Sequence, residues 1–253
     1  MDEDEILSTI GHRPWPLPET PWMMRQTWNN LLFAHWPIPV ETMRSLIPPA
    51  LPLDTFDGTA WVGIVPFDMS HVRPRLMPSL PKLSFFPELN VRTYVTLEDK
   101  PGVYFFSLDA GNRLAVAAAR RFFHLPYFHA DMQVELEGDV VHYRSRRIHV
   151  RAPQAELLGQ YRPTGPVFEA APGSLESWLT DRYCLYTLDP RGRVYRVQIH
   201  HLPWPLQPAE ADFETNTMAA AHGIALPPIP PLLHFAKRVD MVNWLLEPVP
   251  HVR

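Results

Sequence analysis

Residues 88–97 read ELNVRTYVTL, and their alternation decides the fold. Successive side chains of a strand point to opposite faces. Leu89, Val91, Val95 and Leu97 therefore share one face, and Glu88, Asn90, Arg92 and Tyr94 the other. Lys100-Pro101-Gly102 predicts a turn, and Val103–Leu108 predicts the returning strand of a hairpin. Upstream, Met24–Trp36 (MRQTWNNLLFAHW) predicts a strand stopped by Pro37 and Pro39. Val40, Met43 and Ile47 are about a turn apart, so 40–47 predicts a short amphipathic helix ended by Pro48 and Pro49. Asp57-Gly58, between apolar runs at 51–56 and 59–67, predicts a tight hairpin turn.

Downstream, Asn112–Arg121 is Ala-rich and predicts a helix, and strands are expected at Tyr127–Leu136 and Val140–Val150 around Gly138-Asp139. Ser174 predicts an N-cap for a second helix. Strands follow at Arg182–Leu188 and Val194–His201, a helix is expected within Ala209–His222 with Gly223 as its stop, and a last strand at Leu233–Leu245. Thirty prolines against 11 glycines argue against long helices, hence against a bundle or coiled coil. The expected fold class is α+β, mainly β: one curved antiparallel sheet or barrel with short helices packed on it, spanning 21–253 after a loosely ordered lead-in at 1–20.

The formal charge of −4 gives no general basic balance of the kind that binds nucleic acid. Arg144, Arg146, Arg147 and Arg151 form the nearest thing to a polyanion patch. One cysteine, Cys184, excludes an intrachain disulfide or a Cys-rich metal site, and its setting, RYCLYTL, predicts a buried thiol. The acidic N-terminus does not resemble a secretory signal, and the apolar run near Ile224–Leu233 is short and broken by prolines. A cytoplasmic location with no membrane and no nucleic-acid partner is expected.

His200 and His201 are adjacent and so point to opposite faces of a strand; with no His-Glu-x-x-His pattern, no metal site is expected. Neither a Gly-x-Ser-x-Gly elbow nor a Gly-rich phosphate loop is present, which removes the main support for serine hydrolase, Rossmann and P-loop chemistry. The polar face of 88–94 reads either as a solvated outer surface or as a patch turned into a barrel. Turned inward, Glu88 could serve as acid or base and Arg92 as partner or anion anchor. Trp61, Phe67, Phe85, Tyr94, Phe106, Tyr127 and Tyr186 lie on or beside predicted strands and are candidates for the wall of a hollow barrel.

Six segments carry a resemblance: LLFAHWPIP from Leu31, LDTFDGTAWVGIVPF from Leu53, ELNVRTYV from Glu88, KPGVYFFSLDA from Lys100, RYCLYT from Arg182 and HHLPWPL from His200. Together they resemble the YqjF-like family, domain of unknown function 2071, in the acetoacetate decarboxylase-like superfamily. The resemblance implies a curved, barrel-like antiparallel sheet around an internal cavity. The decarboxylases form a Schiff base on a lysine that follows a proline, its amine kept neutral by an adjacent cation. The matching stretch here is Leu125-Pro126-Tyr127-Phe128, with aromatics in place of both lysines. Glu88 is matched to the pocket glutamate of those enzymes.

The reading carried forward is a small-molecule protein for an organic acid or carbonyl compound, needing no cofactor. Glu88 and Arg92 are its catalytic candidates, and Tyr94, Phe106, Tyr127, His129 and Tyr186 its ligand-binding candidates. A non-catalytic binding or sensing module and a Schiff-base lyase using Lys82 or Lys237 are the alternatives. Superfamily likeness leaves room for a homo-oligomer.

Overall fold

A computed structural model describes residues 3–80 and 84–250. Helix α1 (Glu3–Ser8) precedes strand β1 (Met24–Ile38), helix α2 (Val40–Leu46), β2 (Ala60–Pro74), β3 (Phe86–Leu97) and β4 (Lys100–Ala110). Helix α3 (Arg113–Phe123) leads to β5 (Tyr127–Glu137), β6 (Val140–Arg147) and β7 (Glu156–Pro163). Then come α4 (Leu175–Thr180), β8 (Cys184–Leu188), β9 (Val194–His201), β10 (Leu206–Asn216), a 3-10 turn (Ala220–His222), β11 (Leu232–Asn243) and the short β12 (Glu247–Pro248). No described helix is long and apolar enough to cross a membrane.

One sheet closes on itself twice. Nine strands in the order β4-β3-β2-β1-β11-β10-β7-β6-β5 form a barrel, closed by parallel pairing of β5 with β4. The same β4-β3-β2-β1-β11 arc also closes through β8 and β9, because β8 pairs with β4 and β9 with β11, giving a second ring of seven strands. The two faces of β3 thus look into two different enclosures. Leu89, Val91, Val95 and Leu97 fill the larger barrel with Tyr143, Leu157, Tyr161 and Phe235. There Arg147 makes a bidentate, buried bond to Asp109, Nε–Oδ1 2.7 Å and Nη2–Oδ2 2.6 Å. Glu88, Asn90 and Arg92 face the smaller ring.

Most expected elements are present, and the departures have local causes. The first hairpin turn is Glu98-Asp99, both at positive φ, with Leu97 paired to Lys100; Lys100-Pro101-Gly102 already belongs to β4. Gly102 is there for clearance, since a Cβ would come within 2.7 Å of Cys184 O and Sγ on β8. Residues 51–56 make only isolated bridges, although Asp57-Gly58 turns as expected with positive φ at both positions. Of the helix expected within Ala209–His222 only the last turn is helical, the 3-10 turn Ala220–His222, which Gly223 ends at positive φ as expected. The rest is mainly strand β10, where Ala209, Ala211 and Phe213 pack inward and Glu210, Asp212 and Glu214 alternate with them. Period-two alternation overrode the helix propensity of alanine. Strand β7 has no clear signal in the sequence because Gly159 interrupts it; that glycine lets Asp212 O of β10 come where a Cβ would otherwise sit.

The lead-in at 1–20 was expected to be loose, and its described part, 3–20, is strapped down. Ile6 is fully buried with Trp22, Val242 and Trp244. His200 Nε2 donates to Ile6 O at 2.9 Å and His12 Nε2 to His201 O at 2.8 Å. Arg13 bonds Ile199 O and Gln198 Oε1. The anticipated arginine cluster is split: Arg147 turns into the barrel, while Arg144 and Arg146 lie outside beside Asp131.

Candidate functional site

All seven strands of the smaller ring contribute to the wall of one cavity of about 540 Å³. Strand β3 supplies Phe86, Glu88, Asn90 and Arg92; alternation brings Val65, Phe67 and Met69 from β2 and Val197, Ile199 and His201 from β9 onto the same wall. His200, one step from His201, faces the N-terminal strap, as adjacent strand residues must. The lining members that stay exposed are Met77, Pro78 and Leu80 of the β2–β3 connection and Leu114 and Ala118 of α3, with Pro74 at the end of β2, so the mouth lies there. The opposite end is floored by Arg92, Val103, Phe105, Thr180, Arg182 and Trp204.

Glu88 is 3% exposed and its Oε2 takes a 2.7 Å hydrogen bond from the Tyr127 hydroxyl. Burial in this apolar wall pushes its pKa up to about 8; the Tyr127 bond opposes the shift and the charge of Asp109 adds to it. At neutral pH Glu88 is therefore a carboxylic acid with a proton to give. Burial and the neighbouring Glu88 push Tyr127 well above the usual phenol range, so it stays a neutral donor.

Arg92 and Glu88 do not pair. Arg92 Nη2 donates to Leu179 O at 3.2 Å, its guanidinium carbon lies 5.2 Å from the Phe33 ring and 5.7 Å from that of Tyr94, and its Nε has no partner in the protein. Arg182 packs over the Tyr94 and Trp178 rings at 4.8 and 4.3 Å. It bonds Asp54 Oδ2 at 2.6 Å and Trp178 O, which leaves Nη2 unpartnered. Three acceptors on the wall are also buried without partners: Asn90 Oδ1, His201 Nε2 and Asn243 Oδ1. His201 donates from Nδ1 to Leu202 O, and burial lowers its pKa to about 3, so Nε2 keeps its lone pair. With Glu88 and His201 neutral and Arg182 matched by Asp54, Arg92 leaves one uncompensated positive charge facing the cavity. Buried donors without partners are costly, so the floor carries a net positive charge with N–H groups left to satisfy.

The structure thus brings Glu88, Arg92 and Tyr127 into one wall and places the other four candidates outside it. Tyr94 shares the face of Arg92 but lies beneath the floor, its hydroxyl between His35 Nε2 (2.6 Å) and Leu179 O (2.9 Å), where it supports both guanidinium groups. Phe106 is turned away by an irregularity in the β3–β4 register, which sends Phe105 and Leu108 to the cavity and Phe106 against His222. Tyr186 alternates with Leu185 and anchors Leu97 O and Lys100 O. His129 lies past the ring in an outer cleft with Phe85 and Ile148, its backbone N–H donating to His149 Nδ1. Asn90, Arg182, His201 and Asn243 were not among the binding or catalytic candidates from the sequence. Asn90 stood on the right face, but Arg182 precedes its strand and carried no local signal.

Among the described residues no lysine lines the cavity. Lys237 is exposed on β11, Lys100 begins β4, and Lys82 lies outside the described residues. Of the aromatics at the matched stretch, Tyr127 faces the cavity and Phe128 stacks 4.1 Å from the Arg147 guanidinium. No group of three or more His, Cys, Asp or Glu is placed to hold a metal ion among the described residues.

A family model for DUF2071, described as an uncharacterized conserved protein, matches residues 25–240. The chain is 51% identical over 230 residues to the uncharacterized protein YqjF of Bacillus subtilis (strain 168), covering 91% of this chain and 94% of that one. Among solved structures it is similar to the enduracididine biosynthesis enzyme MppR complexed with pyruvate, with a TM-score of 0.60 at 12% identity over 93% of each chain. It is also similar to acetoacetate decarboxylase from Legionella pneumophila, with a TM-score of 0.57 at 14% identity over 97% of this chain and 94% of that one. At such identities the likeness is one of fold.

Proposed function

The chain belongs to the DUF2071 family and has an acetoacetate decarboxylase-like fold, and from that premise we propose that it binds an organic acid bearing a carbonyl group in the seven-strand cavity and moves a proton on it without forming an imine. The observation that carries this reading is a neutral, buried Glu88 on the same wall as the Arg92 guanidinium, which makes no ion pair among the described residues. Arg92, with the free N–H of Arg182, takes the carboxylate of the ligand. Glu88 gives its proton to the carbonyl oxygen while a water takes the α-hydrogen as a proton, so that the ketone becomes its enol, and the Tyr127 hydroxyl stabilises the Glu88 carboxylate until the reverse transfer returns the proton. The pyruvate named with MppR is an acid of this class.

The test is thermal shift and turnover with a panel of 2-oxo acids. Arg92→Ala is expected to weaken binding roughly 10- to 100-fold, the worth of a charged hydrogen bond. Glu88→Gln is expected to keep binding and lower turnover by roughly 10²–10⁴. Unchanged ligand-induced shifts in Arg92→Ala would reject the anchor. A non-catalytic binding module is the second reading, favoured by the aromatics at 127 and 128; saturable binding with no product at any pH supports it. Borohydride with pyruvate is expected to leave no adduct on any lysine.

A further inference from the structure

We infer that the ligand of this cavity is an elongated amphiphile, a carboxylate with an apolar chain of medium length, rather than a short keto acid; this rests on the anchoring role proposed for Arg92. Three observations point the same way. The first is volume. At the ~30 Å³ a water occupies in the liquid, the cavity of about 540 Å³ has room for roughly 18 such groups, whereas acetoacetate has about seven non-hydrogen atoms.

The second is the separation of the polar stations. Glu88 and Arg92 stand four residues apart on one extended strand, a span of about 13 Å between their backbones. They make no ion pair; Glu88 bonds Tyr127 while Arg92 bonds Leu179 O at the floor. A ligand whose carboxylate sits at Arg92 has this length of wall, up to and past Glu88, left to cover.

The third is the surface between and beyond them. Going up from the guanidinium floor, the wall is Phe105, Leu108, Val65 and Phe67, and it continues past Glu88 as Phe86 and Met69. The mouth is apolar too: Met77 is 51% and Leu114 66% exposed. A short acid held at the floor would leave this surface uncovered. A chain running to the mouth would cover it, with its head at Arg92 and Arg182.

Isothermal titration of the full chain with straight-chain 2-oxo acids of four, six, eight and ten carbons tests the idea. Affinity is expected to rise with each extension, by up to about fourfold per methylene. Ala119→Trp, which fills the cavity from α3, is expected to erase the advantage of the ten-carbon acid while leaving the four-carbon acid unaffected; α3 buries only Val116, so this variant should fold. Affinity that is flat or falls with chain length, with Arg92→Ala still abolishing it, overturns the chain and leaves the proposed function standing. Affinity that rises with length but ignores Arg92→Ala keeps the chain and rejects the anchor. No binding by any member overturns both.

Discussion

Glu88 holds its proton because desolvation, helped by the charge of Asp109, outweighs the Tyr127 hydrogen bond that favours its carboxylate. The unfolded chain releases that proton near the ordinary value of 4.5, the folded chain near 8. Between those values the folded state binds more protons, so folding stability falls as pH rises through the window, and the loss is complete above about 8. At about 1.4 kcal/mol per pH unit, the contribution reaches a few kcal/mol. Glu88→Gln keeps the shape and removes the titration. Its melting temperature is expected to exceed that of the unmodified chain at pH 9 and to approach it at pH 5. Parallel melting curves across that range would show that Glu88 ionises normally in the fold. Proton donation by Glu88 should fade through the same alkaline limb. Cys184 is the contrasting case: fully buried, with its thiol pushed up to about 11 by desolvation, it is packing and not a nucleophile.

Among the elements, β4 decides whether the smaller ring closes. It pairs with β3 along its length but with β8 only at Val103–Leu185 and Tyr104–Tyr186. Gly102 sits beside that short seam, where an added Cβ would meet Cys184 O and Sγ at 2.7 Å and Tyr186 Cε2 at 2.8 Å. Gly102→Ala is expected to cost about 1–3 kcal/mol in chemical denaturation, as overpacking does. Gly11→Ala, with nothing within 4 Å, is the control and should be near neutral. Equal stability of the two variants would mean that β8 yields freely. Helix α3 behaves differently. Asn112 Oδ1 caps it by accepting from Leu114 N and Ala115 N, and it enters the core only through Val116, with Ala115 packed beside it, while Leu114, Ala118 and Ala119 lean on the cavity.

Across the whole molecule, buried neutral histidines oppose the effect of Glu88. Desolvation lowers His201 to about 3 and His200 and His222 to about 4, so the folded chain refuses protons that the unfolded chain accepts near 6.5. Stability therefore falls as pH drops from about 6.5 toward 3, because there the unfolded state binds more protons. Three such groups outweigh one carboxyl on the acid side, and Glu88 prevails on the alkaline side. The balance of these four predicts maximum stability between about pH 6 and 7. A scan of melting temperature against pH checks it; a steady rise from pH 7 to 9 would contradict the balance.

Legibility from sequence followed the range of the forces involved. The alternation of ELNVRTYVTL gave the faces of β3 because side-chain direction in a strand depends only on residue number, and the same rule separated His200 from His201. Asp57-Gly58 and the cap at Ser174 were readable because backbone geometry there depends on neighbours in the chain. Which face of β3 meets a void was not local information. It depends on β4 pairing with both β5 and β8, strands that lie far apart in sequence. The same holds for Tyr94 and Tyr186, whose residue type suited a pocket but whose hydroxyls were taken by backbone carbonyls from other elements. Local alternation and turn chemistry thus set the strands and the polar row of Glu88, Asn90 and Arg92. Only the closure of the seven-strand ring turned that row into a dry wall, raised the pKa of Glu88 and brought Arg182 to the floor, because burial is a property of the assembled sheet and not of any one segment.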